Sequence, residues 1–282
     1  MANSYLNIVT FLLTTLFYYL ALKPSLTFEK FTDKALYKDY VSNNYMYLAI
    51  YLLLIMMVQF IINSSIVTNN CGGNISGNMG IAGVLTFIPW TLIFGVLVLV
   101  LLIFPGFKSA FADVVGYYYV SGKATKLLTD LLVNQDVQQK ISQEPDMTPE
   151  QKEAMETAAD VIMKICGNTS ILINQMVPSN FEQYWEILTP LMKDKYKTNT
   201  EDANKIRDEL FELVVSRDNV GEAMWYIYTG LLLTSIVQLK ITNHGCVNDP
   251  KTMEENYNKF LEDQEKAREQ KEQAETTYTI TT

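Results

Sequence analysis

The chain reads as an all-α, multi-pass integral membrane protein of about four membrane helices with a helical domain outside the bilayer, and three observations predict this. Not one Asp, Glu, Lys or Arg occurs from Tyr40 through Phe107. The charged residues fall almost entirely into three blocks, Lys23–Asp39, Lys108–Glu222 and Lys240–Glu275. Between and before these blocks, four apolar runs approach the roughly 20 residues that a helix needs to cross hydrocarbon. A soluble fold scatters charge along the chain to cover its surface, so charge sorted into blocks marks apolar spans joined by aqueous segments.

The first run, Tyr5–Leu22, is read as an uncleaved anchor. No Lys or Arg precedes it, and Tyr19-Leu20-Ala21 lacks the small residue that a signal-peptidase site needs. The second is Tyr45–Ile62 and the third Val84–Phe104, the most apolar of the four, with Pro89 near its start. The fourth, Ala223–Leu239, ends at Lys240, whose long side chain can reach back to water. The chain thus divides into 1–104 (three spans, 5–22, 45–62 and 84–104), 105–222 (the helical domain), 223–241 (the fourth span) and 242–282 (a charged tail). Tyr18, Tyr19, Tyr45, Tyr47, Trp225, Tyr226 and Tyr228 sit near the span ends, where amphipathic rings favour the headgroup layer.

Four spans place the Lys23–Asn44 loop and the domain on one side, and the Asn63–Gly83 loop and the tail on the other. Lys23, Lys30, Lys34 and Lys38 mark the first side as cytosolic by the positive-inside bias, whereas the Asn63–Gly83 loop has no charge. That loop holds two glycosylation triplets, at Asn63 and Asn74. Cys71 and Cys246 share its side and Cys166 does not. The first two are candidates for a disulfide, with unpaired thiols as the other reading.

Within 105–222 the pattern is helical. Lys108–Asn134 begins where the third span ends, as either a helix on the membrane surface or an ordinary amphipathic helix. Thr148-Pro149-Glu150-Gln151 starts a helix with Met155, Ala159, Ile162 and Met163 on one face. Ser179-Asn180-Phe181-Glu182 is a second capping box, and Glu201–Val215 places Ile206, Leu210, Leu213 and Val214 at helical spacing. Asn219-Val220-Gly221-Glu222 is expected to cap the fourth span as a separate helix. Met253–Glu275 reads as solvated, since Phe260 and Leu261 are too few for a coiled-coil seam.

Composition excludes several kinds of chemistry. The 105–222 segment carries 12 basic and 19 acidic residues, so it has no basic face for a nucleic acid. The single histidine, His244, with Cys246 and Cys71 makes three potential ligands, one short of a structural zinc site, so no metal is expected. No glycine-rich phosphate loop, nucleophile–base pair or mid-span ionisable residue occurs; no cofactor, catalytic residue or small-molecule substrate is expected.

Two segments carry a resemblance. Phe104-Pro105-Gly106-Phe107-Lys108-Ser109-Ala110-Phe111-Ala112-Asp113, followed by Gly116-Tyr117, is similar to a motif of Phe-Pro-Gly-Trp, Pro-Phe-x-Asn and Gly-Tyr. Val220-Gly221-Glu222-Ala223-Met224-Trp225-Tyr226, running on through Gly230 toward Cys246, is similar to a closing span that begins Val-Gly-Glu and carries Trp-Tyr and Thr-Gly. Both patterns resemble membrane proteins of nucleocytoplasmic large DNA viruses of the algal-virus type. Phe107, Ala110 and Asp113 stand where that pattern has Trp, Pro and Asn. The resemblance implies a minor capsid component of the virion's internal membrane, passing through a host intracellular membrane such as the endoplasmic reticulum during assembly, with capsid or other minor capsid proteins as partners. Physically, Pro105-Gly106 stops a helix, Phe107 and Phe111 suit the headgroup layer, and Gly230 permits close helix approach. The competing expectation is a four-span adaptor or channel subunit of an intracellular membrane.

Overall fold

A computed structural model describes residues 5–72, 74–132, 168–198, 200–243 and 250–276. Among them the chain is helical, without a strand; one isolated antiparallel bridge joins Leu132 and Met192. Three helices are long and apolar enough to cross a membrane: Lys34–Cys71, Ile75–Ile103 and Glu201–Asn243. A shorter apolar helix, Leu6–Leu22, precedes them.

Several boundaries differ from the sequence reading. The expected Asn63–Gly83 loop is mostly helix: one helix runs to Cys71 and the next starts at Ile75. The turn is made by Gly72, whose φ of 72° suits a residue without Cβ, and by Asn74, whose Oδ1 accepts from Gly77 N at 2.7 Å. The Lys23–Asn44 loop is also largely helical. Thr27 caps Phe28–Thr32, and Asp33 Oδ1 accepts from Ala35 N and Leu36 N to start Lys34–Cys71. The capping box at Ser179–Glu182 is replaced by a tighter arrangement, a 3-10 turn over Pro178–Asn180 in which Asn180 Oδ1 accepts from Val177 N. Asn219–Glu222 caps nothing, because Glu201–Asn243 is one uninterrupted helix started by Thr200, whose Oγ1 accepts from Ala203 N. Pro89 ends a regular helix and Trp90–Gly95 continues in π geometry, as a residue without an N–H allows. The helix expected from Thr148 lies outside the described residues.

The described chain divides into two compact units. One comprises Met1–Thr14, Leu53–Phe94 and Gly230–Thr282. Its interior combines buried apolar side chains with a chain of buried polar ones, and its apolar helices also present apolar side chains outward. Asn7 Nδ2 donates to Asn63 Oδ1 at 3.0 Å, Asn63 Nδ2 donates to Thr86 Oγ1 at 2.8 Å, and Gln59 Nε2 donates to Asn7 O at 3.0 Å. Leu13, Leu53, Ile61, Ile88, Leu92 and Leu239 meanwhile face outward. Asn63 is completely buried, which removes it as a glycosylation acceptor. Above the polar chain Phe11 meets Trp90 and Phe94, and Gly230 lies directly beneath the Phe11 ring: a Cβ there would come within 2.0 Å of Phe11 Cζ. The tail helix, Pro250–Thr276, exposes Tyr257, Phe260 and Leu261.

The other unit comprises Thr15–Leu52 and Gly95–Thr229. Its core is built by amphipathic periodicity. Val120, Ala124, Leu127, Leu128 and Leu131 line one face of Tyr117–Leu131, and Ala203, Leu210, Phe211 and Val214 one face of Glu201–Asn243. Leu172, Ile173 and Met176 from Thr169–Gln175 and its C-cap, with Phe181 and Leu188 from Phe181–Leu188, fill the space between. Phe28 closes it edge-on against Phe181 and Phe211.

Asn63→Ala should lower stability by roughly 1–3 kcal/mol, because Asn7 and Thr86 lose a shared buried partner. Gly230→Ala should lower the unfolding midpoint in detergent, whereas Gly80→Ala, where a Cβ meets nothing within 4 Å, should not. Equal midpoints for the two glycine variants would refute the close approach at Phe11.

Candidate functional site

In the second unit the two resemblance-bearing segments lie against each other. Phe104 breaks the helix that ends at Ile103; Pro105 and Gly106 then open a 3-10 turn over Pro105–Lys108. The chain continues through Ser109–Phe111 and a π stretch, Ala112–Gly116, into Tyr117–Leu131. Along its length it meets the helix Glu201–Asn243. Trp225 Nε1 donates to Phe107 O at 2.8 Å, and Phe111 stands edge-on to Trp225 at 5.0 Å and tilted to Tyr228 at 6.2 Å. Phe107's own ring is exposed; its contribution to the Trp225 bond is its carbonyl.

Two glycines make that approach possible. A Cβ on Gly221 would come within 2.7 Å of Ala112 Cβ and 2.8 Å of Lys108 O. One on Gly116 would come within 2.5 Å of Arg217 O. Neither gap admits a methyl group without backbone movement. Tyr117 packs its ring partly into the core described above.

The contact brings charge together. Glu222 is buried and takes two lysines: Lys23 on Oε1 and Lys108 on Oε2, the latter at 2.8 Å. Lys108 also reaches Asp218 Oδ2 at 3.1 Å, and Tyr19 donates its hydroxyl to Glu222 Oε1 at 3.0 Å. Lys23 lies 4.9 Å from the Tyr19 ring centroid, a cation–π contact. Burial lowers the Lys23 pKa despite Glu222. At Lys108 burial pulls the same way, but Glu222 and Asp218 together outweigh it and raise the value, so this ammonium is held charged. One turn away on the same helix, buried Arg217 donates to Ile173 O and lies 3.9 Å from Asp113 Oδ1. Asn174 Nδ2 donates to Asp113 O at 3.0 Å, tying the short Thr169–Gln175 helix to the same place. Burial raises the Asp113 pKa and Arg217 pulls it back.

Beside this lies an aromatic cluster that corrects the reading of Tyr18 and Tyr226 as headgroup anchors. Tyr18, Tyr51 and Tyr226 are fully buried; Tyr18 stacks on Tyr51 at 4.3 Å and Tyr226 meets Tyr51 at 5.7 Å. Their rings supply packing area, and the Tyr51 hydroxyl bonds Thr15 Oγ1 at 2.9 Å. Tyr45 and Tyr228 are exposed, as an anchor requires.

Of the positions that sequence reasoning singles out, Phe107, Phe111, Gly116, Gly221, Glu222 and Trp225 lie where the two segments touch, whereas Pro105 and Gly106 form an exposed turn beside it and Tyr117 packs on the hydrophobic core. Gly230 belongs to the other unit. Lys23, Lys108, Asp218 and Arg217 were missed. The available signal was opposite charge at helix ends: Lys23 directly follows one apolar run and Glu222 directly precedes another. Cys71 is disulfide-bonded. Cys246, its expected partner, lies outside the described residues, as do Cys166 and His244. No known protein family, no curated protein and no solved structure matches the chain.

The arrangement is chemically a clamp: a carboxylate shared by two ammonium groups, with a hydroxyl as third donor. Glu222→Ala should destabilise by roughly 3–5 kcal/mol, because it strands buried Lys23 and leaves Lys108 with Asp218 alone. Lys23→Met should cost less, since Lys108 keeps Glu222 and Asp218. Calorimetry in detergent would check both; a Glu222→Ala protein that melts with the parent would remove the clamp from the account.

Proposed function

We propose that this chain is a structural protein of a virion's internal membrane, a minor capsid component that links the bilayer to the capsid shell. The observation that carries the reading is the helix Glu201–Asn243. Its first half buries Ala203, Leu210, Phe211 and Val214 in the core of a helical unit, and its last turns are apolar and outward-facing at Leu232, Ile236 and Leu239. One continuous helix that is domain core in its first half and apolar and outward-facing in its last turns joins the domain directly to a membrane span. The clamp at Glu222 fixes the neighbouring apolar segments to it.

Membrane insertion is supported by three helices long and apolar enough to span, which carry exposed apolar side chains outward. Buried Asn, Gln and Thr between apolar helices are the polar cross-links that such helices use in lipid. The four-span topology remains as derived from charge: the Lys-rich side and the 105–222 domain face the cytosol, and the tail faces the lumen. The resemblance of the two motif segments supports the virion assignment, with capsid or other minor capsid proteins as partners and a host intracellular membrane, such as the endoplasmic reticulum, as the assembly site. In this topology the Cys71 bond forms on the oxidising side, with Cys246.

Three outcomes follow. After detergent stripping of purified virions, quantitative mass spectrometry should find the chain retained in fixed ratio to membrane or capsid proteins; absence from virions would favour the cellular adaptor. Protease added to sealed microsomes should digest Lys108–Glu222 and spare the chain after Thr242, with the reverse pattern inverting the topology. Unreduced protein should migrate faster than reduced protein, unchanged by Cys166→Ser; loss of the shift in that variant would assign the Cys71 bond to Cys166 and break the topology.

A further inference from the structure

We infer that the segment from Phe104 to Tyr118 is a membrane-surface contact, lying in the headgroup layer and seating the start of the helical unit on the bilayer. The inference rests on the membrane reading above and goes beyond it, because no span includes the residues after Phe104. Phe104, Phe107, Val114 and Tyr118 are 57%, 55%, 68% and 83% exposed, with Ala110 exposed among them. In water such a row would be an unpaired apolar face.

Charge shows which side faces away. Between Phe104 and Gly122 the chain has only two Asp, Glu, Lys or Arg residues, Lys108 and Asp113. Lys108 points inward to Glu222 and Asp218, and Asp113 leans toward Arg217 at 3.9 Å with its side chain 40% exposed. The outer face therefore carries no basic side chain, and its one part-exposed carboxylate, Asp113, sits opposite Arg217. Beyond Tyr119 it changes character, since the exposed positions become Gly122, Lys123, Thr125 and Lys126.

Continuity names the occupant. The apolar helix Val96–Ile103 exposes Val96, Leu99 and Ile103, and Phe104 joins that surface directly to the row. A lipid-facing helix that ends in a Pro105-Gly106 turn delivers the next residues to the depth of the headgroups. Phe and Tyr are the side chains favoured there, the phenol at the water boundary and the ring below it. Lys123 and Lys126 then follow where a chain leaving the surface meets anionic headgroups.

The test uses the full chain in phosphatidylcholine vesicles containing lipids with a nitroxide quencher on the headgroup or deep in the acyl chain. Val114→Trp, Tyr118→Trp, Leu99→Trp and Thr125→Trp are each compared with the parent, so that only the added emission is read. Headgroup nitroxide should quench Val114→Trp and Tyr118→Trp about twofold or more beyond Thr125→Trp, as a burial depth of about 5–10 Å implies. Deep nitroxide should quench Leu99→Trp. Quenching at Leu99 without quenching at 114 and 118 overturns this inference and leaves the membrane reading standing. No quenching at any of these positions overturns both. Emission at 114 and 118 that ignores the lipid quencher but shifts to the blue when capsid protein is added assigns the face to a protein and overturns the inference equally.

Discussion

A carboxylate cut off from water must be matched by positive charge or take up a proton, and either solution costs several kcal/mol per buried ion unless the geometry is good. Glu222 is matched twice, by Lys23, 199 positions away in sequence, and by Lys108. The demand reaches outward from that point. Lys108 can arrive only if its segment approaches the helix closely, and Gly221 and Gly116 supply the room. Lys23 can arrive only if the chain leaves the first apolar helix beside Tyr19, whose hydroxyl takes part of the same carboxylate. A well-packed apolar replacement could equal such a cluster in stability. What the ions add is selectivity: any register of these helices that separates one partner leaves another charge buried and alone. The cluster therefore acts chiefly on which arrangement forms.

The first unit solves the corresponding problem without ions. Its helices are apolar on the outside, so hydrophobic burial against one another gives little preference for any single packing in a lipid-like surrounding. Direction comes from polar groups that have nowhere else to go. Asn63 is held between Asn7 and Thr86, and Gln59 reaches the Asn7 carbonyl, which correlates three helices through one residue. Each such bond contributes about 0.6 kcal/mol on average in membrane proteins, so specificity again exceeds stabilisation. Gly230 beneath Phe11 adds shape to the same selection, because only a residue without a side chain admits that ring.

Much of this was legible in the sequence, and the failures have physical causes. Sorted charge marks the apolar helices, and period-3.6 spacing marks the inner face of Glu201–Val215, where Leu210 and Val214 are buried and Ile206 and Leu213 partly so. The Asn63–Gly83 stretch was read as a loop because Asn, Ser and Gly are weak helix formers in water. Here Asn63 and Ser64 are buried, Asn63 bonded to Asn7 and Thr86 and Ser64 to the Phe60 carbonyl, so both are held within the helix. Asn219–Glu222 looks like a helix start by composition. Yet Gly221 is small to admit Lys108 O and Ala112, and Glu222 is acidic to meet lysines. Tyrosines at run ends suggest headgroup anchors, but whether a ring faces lipid or a neighbouring helix depends on tertiary packing, which a linear pattern does not carry. The ion cluster was invisible for the same reason: charge at the end of an apolar run is commonplace, and only the fold selects which of these charges meet.

That the two motif segments converge changes what their likeness to a known pattern can mean. Read separately, each is ordinary helix-end chemistry. In contact, each supplies what the other lacks: a carbonyl for the Trp225 indole, a ring for the Phe111 edge, a gap at Gly221 for Ala112, and a carboxylate for Lys108. The three departures from the pattern can then be weighed individually. Phe107 uses its backbone at the contact and leaves its ring exposed, so the contact constrains that side chain weakly. Ala110 is exposed and meets the same leniency. Asp113 differs in kind, because its carboxylate lies 3.9 Å from Arg217, and an amide there would leave the guanidinium with the Ile173 carbonyl and no countercharge. The pairing of Asp113 with Arg217 is thus the one place where the departure has a structural counterpart on the opposing helix. A change at Asp113 would cost more than a change at Phe107 or Ala110, since it would leave the buried Arg217 guanidinium without its countercharge.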